Sequence, residues 1–394
     1  MRFLAFHLMP YATPEVGEAV PKSVPESAWV TLSNRLYDPA KGVELYKRYL
    51  DELTYAAEVG FDGVSVNEHH QNAYGTMPNP NIIASALVQR IPDKQIAILG
   101  NAISIHNPLL IAEQVAMLDV LSGGRVLSGF VRGIGFEYST FGLNPNDSRE
   151  RFHEAHDLIV DAWSKPGPFP WYGKHFHFDY VNTWPRPVQQ PHPPIWIPSQ
   201  GSAETVDWTA QHRYVYLQTF TKEDRLVAIA EEFREAARRY GYTAHPEQIG
   251  CAMPVYVGET DESAREEYRP HVEYFFNRLL TGPVPMWFPP GYLTDASHQR
   301  VTKTKSELFS HNDHTFEEME RDGLVVVGSP DTVVRRLEEL FERTGMGTFL
   351  PFVQIATMDH RMTMANIRRL GEHVLPRLRD FVPTRYAEER RVPS

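Results

Sequence analysis

The chain has one cysteine, Cys251, among 394 residues. A lone cysteine excludes an intramolecular disulfide and any multi-cysteine metal centre, and it suits a reducing compartment. Its setting, the apolar run "IGCAMPVYVG", marks it as a small core residue. Basic charge is scarce: 39 Lys and Arg stand against 50 Asp and Glu, a net −11. Nucleic acids and anionic membranes are bound through basic surface, so neither is expected as a partner. No run approaches the ~20 apolar residues of a membrane span. The opening "MRFLAFHLMP" lacks the basic region, long apolar core and small-residue cleavage site of a secretory signal, so a cytoplasmic location is expected. A dinucleotide fingerprint is missing too. Gly133 and Gly135 begin a GxG, but position 138 is Tyr138, where GxGxxG needs glycine.

Against these absences stands a regular alternation. Eight short apolar runs occupy residues 2–8, 63–67, 95–103, 125–131, 194–198, 214–218, 249–257 and 348–355. They are apolar on both faces, as strands of a buried parallel sheet are. Helical patterns separate them. "VELYKRYLDELTYAAEVG" ends at Gly60, "NPLLIAEQVAMLDVLSGG" at Gly123, and "DTVVRRLEELFERTG", with Asp331 as its cap, at Gly345. Eight strands in βαβα order predict an α/β fold, a (β/α)8 TIM barrel forming a single domain over residues 1–394. Three inserted loops interrupt the rhythm, at 10–40, 165–193 and 281–312. Long loops in compact domains serve as lids or binding loops. The first and third are expected at the C-terminal rim, where barrel active sites lie, with 281–312 as the active-site lid. The second precedes a strand and is expected at the other end.

Three motifs could carry chemistry. Glu68, His69 and His70 follow the second strand. They suit proton handling beside an organic cofactor, or a metal site completed by His106. Adjacent residues of extended chain face opposite ways, which separates the two imidazoles and weakens the metal reading. His153 and His156 in "RFHEAH" fall one residue short of H-E-x-x-H spacing. Arg132 follows the fourth strand inside the glycine-rich "GFVRGIGFEYSTFG". Glycine lets backbone approach a ligand, and arginine offers a forked donor for phosphate. Gly201 and Ser202 follow the fifth strand and open a helix, whose free N–H groups suit an anion. A phosphate between these two strand ends is geometrically reasonable.

With these motifs the chain resembles the bacterial luciferase-like flavin monooxygenases, most nearly the luciferase α-subunit type. The likeness rests on "EHH" with "YG" and "NP" after it, on "HNPLLIAEQVAMLDVLSGGR", and on "VRGIGFEYSTFG" and "NDSRERF". "GSAETVDWTAQ", "VGSPDTVVRRLEEL" and "VLPRLR" extend it toward the C-terminus. The resemblance implies FMN at the C-terminal face of the barrel. It implies that Arg132 and Ser202, with backbone near Gly201 and Ala203, hold the phosphate. His69 is then the catalytic histidine, with His70 and Glu68 in support, and Gly100 and Asn101 lie near the flavin ring. Reduced FMN from a separate flavin reductase would meet O2, form a flavin hydroperoxide and pass one oxygen atom to a small apolar organic substrate. Trp287, Phe288 and Tyr292 of the lid, with Tyr74 and Phe136, are the substrate-side candidates. Trp29 and Tyr37 add to the same apolar surroundings. The family often dimerises through helices near the second and third strands, so a homodimer is expected. Val131 stands where luciferase has a reactive cysteine, which speaks against light emission but not against monooxygenation. The alternatives are a deazaflavin-dependent oxidoreductase, a metal-dependent hydrolase on the same barrel, and a non-catalytic flavin-binding subunit.

Overall fold

The computed structural model describes residues 1–19, 27–295, 297–299, 301, 308–309 and 313–384. In chain order the strands are β1 (Arg2–His7), β2 (Gly63–Val66), β3 (Gln95–Ala102) and β4 (Val126–Val131). An antiparallel pair follows, β5 (Phe169–Tyr172) and β6 (His177–Val181). Then come β7 (Ile195–Ser199), β8 (Val215–Thr219), β9 (Ile249–Val257), β10 (Val326–Gly328) and β11 (Thr348–Gln354). Eight of these pair in parallel in the order β1-β2-β3-β4-β7-β8-β9-β11, and β11 pairs back to β1. The result is a closed eight-stranded barrel ringed by helices, built from the eight apolar runs of the sequence. All nine residues of β9 and all seven of β11 are buried, as strands covered on both faces must be.

Three of the helices begin on a shared local signal, an Asp or Asn cap followed by proline. Asp38, Asn79 and Asn107 each accept backbone N–H bonds at the starts of the helices Pro39–Glu58, Pro80–Arg90 and Pro108–Ser122. Proline is pre-set for the first helical position and has no N–H to leave unpaired. The helix Pro330–Thr344 follows the same rule. Its cap is therefore Ser329, two residues before the expected Asp331. Among the described residues no helix is long and apolar enough to cross a membrane.

Two elements were not foreseen. β10 lies outside the ring, parallel to the end of β9, with Val326 opposite Val255. At three residues it is too short to show a period. The 165–193 stretch carries the β5–β6 hairpin. Its base is at the expected far end, where Gln189 Nε2 donates to Asp119 Oδ1 at 2.7 Å and to Val126 O at 2.8 Å. Its tip climbs the helix Ser148–Ser164 toward the rim, where the His175 and Phe176 N–H groups donate to Glu154 at 2.8 and 2.9 Å. The 10–40 stretch contains a short helix, Pro14–Ala19, and a 3-10 turn, Asn34–Leu36. Residues 20–26 of that stretch, and 296, 300, 302–307 and 310–312 of the expected lid, lie outside the described residues.

Candidate functional site

The barrel opens at the carboxyl ends of its strands into a cavity. One end is polar and cationic, the other aromatic.

At the polar end Arg132 leaves β4 and Arg149 comes from the first turn of the helix Ser148–Ser164. Arg132 Nη1 donates to Tyr292 O at 2.9 Å and to Ser148 Oγ at 3.2 Å. Arg149 Nη2 is buried without a hydrogen-bond partner, 3.9 Å from Glu204 Oε2. Burial, and then the charge of Arg132, push the Arg149 pKa down. Two guanidiniums therefore face one space with donors to spare. Ser202 caps the helix Ala203–Gln211 beside them. Its Oγ accepts from Thr205 N at 3.3 Å and lies 2.7 Å from Thr205 Oγ1. Gly201, with φ +92°, makes the left-handed turn into this helix. His153 shares this end. Burial and the Arg149 charge lower its pKa to about 4, so its ring is neutral at neutral pH.

The histidine pair divides, although it lies beyond β2, which ends at Val66. His69 lines the cavity, and its Nδ1 is 3.1 Å from Glu137 Oε1. Glu137 is itself fixed, since its Oε2 accepts the Ile134 N–H at 2.7 Å. Nε2 is left as the His69 nitrogen available to the cavity. Trp29 and Tyr74 each set an edge against the His69 ring, with centroids 5.2 Å away. His70 turns away from the cavity and pairs with Glu68 Oε1 at 2.9 Å, while His106 Nε2 meets the same oxygen at 2.6 Å. Burial works against the Glu68 carboxylate, but the hydrogen bonds and charges of His106 and His70 outweigh it and hold its pKa below the ordinary range. Among the described residues, Glu68, His70 and His106 are the group whose ligand-capable atoms lie within 4.8 Å of one another. Both imidazoles already spend Nε2 on the carboxylate, so the cluster closes on itself through hydrogen bonds.

The aromatic end is built by Tyr74, Phe220, Trp287, Phe288, Phe309 and Phe352. Phe136 stands behind this wall, stacked on Trp29 at 5.4 Å and edge-on to Trp287 at 5.1 Å. Gly100 reaches the cavity at a register shift between β3 and β4, and a Cβ there would come within 2.5 Å of the Gly129 backbone. Asn101 turns away from the cavity instead. It is fully buried, and its Oδ1 accepts from Asn81 Nδ2 at 2.9 Å. The register shift between Ile98 and Asn101 breaks the alternation of β3, so consecutive Leu99 and Gly100 both line the cavity.

Tyr292, Thr294 and Ser297 close over the polar end. The Tyr292 ring lies 4.2 Å from the Arg132 guanidinium, and its hydroxyl donates to Gly133 O at 2.5 Å. Thr294 Oγ1 donates to Glu204 at 2.5 Å, and Ser297 Oγ bonds the same carboxylate. A side chain on Gly135 would overlap Met286 O and Pro289.

Of the residues expected at the site, His69, Glu68, Arg132, Ser202, Gly100, Tyr74, Trp287, Phe288 and Tyr292 line the cavity. His70, Asn101, Gly201, Ala203 and Phe136 stand beside or behind it. Sequence reading had singled out neither Arg149 nor Glu137. Both lie inside the quoted motifs "NDSRERF" and "GFEYSTFG", and a charged residue in such a loop was the available signal.

A model of the luciferase-like monooxygenase family matches residues 26–348. The oxygenase component of a flavin-dependent trigonelline monooxygenase from Acinetobacter baylyi is 22% identical over 353 residues, covering 87% of this chain and 92% of its own. The alkanal monooxygenase alpha chain of Photorhabdus luminescens is 28% identical over 190 residues, 48% of this chain and 52% of its own. The chain thus spans only about half the length of some curated relatives that it matches. The oxygenating constituent of 3,6-diketocamphane monooxygenase from Pseudomonas putida, solved in complex with FMN, has the same fold. Its TM-score is 0.73 at 19% identity, over 97% of this chain and 99% of its own.

Proposed function

The chain belongs to the luciferase-like monooxygenase family, and from that premise we propose that it is an FMN-dependent monooxygenase acting on a small apolar organic substrate. The observation that carries the reading is the paired guanidinium end, with a buried, unpartnered Arg149 Nη2 beside Arg132 and a helix N-terminus. A dianionic phosphate fits that donor set, and Arg149 Nη2 makes no hydrogen bond that would compete for it, only the long 3.9 Å ion pair with Glu204. When bound in its reduced form, FMN supplies the two electrons that let one atom of O2 enter the substrate while the other leaves as water.

The residues of this chain divide the remaining work. Arg132, Arg149, Ser202 and the backbone from Gly201 to Ala203 bind the phosphate. Gly100, lacking a side chain, lets β3 close against the Gly129 backbone at the cavity floor, where the flavin ring would lie. His69 holds or moves a proton at Nε2, with Glu137 fixing the ring through Nδ1. Glu68 and His70 brace the loop that presents His69. Trp287, Phe288 and Tyr74 exclude water and supply an apolar surface for the substrate. The 281–312 stretch acts as the lid, and the whole chain reads as one barrel domain.

Partners and location follow the same reading. A separate flavin reductase supplies reduced FMN, in keeping with the missing dinucleotide fingerprint. The protein is cytoplasmic and acts without nucleic acid or membrane. It forms a homodimer through the helices Pro80–Arg90 and Pro108–Ser122, whose Ile82, Leu110, Met117 and Leu121 are large, apolar and exposed.

The test has two stages. FMN and riboflavin are titrated against the protein by fluorescence quenching, with tighter binding expected for FMN. Reduced FMN is then mixed with the protein and ¹⁸O2 in the presence of a panel of apolar ketones and aldehydes, and products are read by mass spectrometry. One ¹⁸O atom in a product supports the reading. No flavin binding, with reduced FMN reoxidising as fast as free in solution, sinks it.

A further inference from the structure

Inserting one atom of O2 and releasing the other as water consumes two electrons and two protons. Aromatic rings line one end of the cavity, and just beyond β2 the wall between cavity and solvent is polar. One cluster spans it. Glu68 lines the cavity, its side chain only 1% exposed, and binds His70, 9% exposed, and His106, 27% exposed. His106 is thus the one of the three that opens appreciably on solvent.

We propose that His106, Glu68 and His70 form a proton relay between solvent and the cavity wall, with His106 as its outer end. The inference rests on the oxygenase reading above. Glu68 Oε1 receives His106 Nε2 at 2.6 Å and His70 Nε2 at 2.9 Å, and Oε2 accepts the Ala102 N–H at 3.2 Å. The groups facing His106 are the carboxylates Glu68 and Glu137, the His70 ring at 5.7 Å and the Phe141 ring at 6.0 Å. Burial disfavours the His106 cation, but the Glu68 hydrogen bond and the two carboxylate charges outweigh it and raise the pKa above the ordinary value. Imidazolium is therefore available near neutral pH. In the transfer the His106 Nε2–H bond breaks as an O–H bond forms on Glu68 Oε1, leaving the ring neutral with its proton on Nδ1. Glu68 then gives that proton to a water on the cavity side, and the His106 ring turns Nε2 toward solvent, takes a new proton from water there and turns back. A structural brace would need the hydrogen bonds alone; the relay needs the open outer edge as well.

The full-length protein tests this in three ways. In flavin-free protein with isotope-labelled histidine, NMR titration should give His106 a pKa above the ordinary value that falls back in Glu68→Gln. An ordinary value in the wild type overturns the relay. In turnover with FMN and a reductase, His106→Ala should lower kcat at least tenfold at pH 7 with KM unchanged. Added imidazoles should restore the rate to an extent that depends on their own pKa. His106→Gln, which keeps a donor for Glu68 but cannot shuttle, should show the same loss with wild-type FMN affinity. Full activity in either variant overturns the relay, as does a loss without rescue and with the wild-type pH profile. Stoichiometric divalent metal bound by the purified protein and lost in His106→Ala overturns it too. Failure of the oxygenase reading shows separately, as absence of FMN binding by the wild type. In that case the NMR titration, read without flavin, decides the relay.

Discussion

Replacing Arg149 with methionine removes a buried guanidinium and keeps much of its stem. In the unliganded protein that guanidinium has an unpaired Nη2 and a like charge nearby in Arg132. A phosphate between the two turns repulsion into charge-assisted pairing. A hydrogen bond to a charged group contributes about 1.5–3 kcal/mol. Loss of the Arg149 share should then weaken FMN by about 2 kcal/mol, roughly 30-fold in Kd. Riboflavin carries no phosphate, so its affinity should not change. Relief from Arg132 should leave the thermal midpoint of the flavin-free protein unchanged or higher. Parallel fluorescence titrations with both flavins, and calorimetry without flavin, measure all three quantities. Equal weakening of FMN and riboflavin, or unchanged FMN binding, would refute the assignment of Arg149 to the phosphate.

His69→Asn should retain FMN affinity while oxygenation falls about 10²–10⁴-fold, the usual range for a positioned acid or base; product formation per turnover of reduced FMN measures it. Gly135→Ala should push Met286 and Pro289 off their seat, because the added Cβ overlaps both. Faster limited proteolysis within 281–312, with a native far-ultraviolet spectrum, is the expected outcome. Ile82→Glu combined with Met117→Glu should convert a dimer to a monomer in sedimentation while FMN affinity stays at the wild-type level.

The barrel was legible because its strands are buried on both faces and so read as unbroken apolar runs. Every one of the eight proposed from sequence is in the ring. The β5–β6 hairpin was not legible: its strands are four and five residues long, and all but Val181 are exposed or half-buried, so they form no apolar run. At the site, sequence named the loops correctly but not the directions of their side chains. Sequence reading separated His69 from His70, yet nothing in the sequence announces that Glu137 would hold one ring and Glu68 the other. Asn101 was expected beside Gly100, and in the fold Gly100 lines the cavity while Asn101 is bonded to Asn81. Arg149 escaped notice because its role depends on two helices meeting Arg132 from different parts of the chain.

The division of the histidine pair constrains loop length more than it constrains loop composition. β2 stops at Val66, and the ring paired with Glu137 and the ring paired with Glu68 differ by a single step along the chain. One residue deleted just after Val66 would bring His70 to the place that His69 now holds while the order of the residues after it stayed the same. The cavity would then receive the imidazole now directed at Glu68, and the one now held by Glu137 would lose its partner. Loop lengths elsewhere at the rim have more freedom, but at this corner the count of residues is itself part of the chemistry.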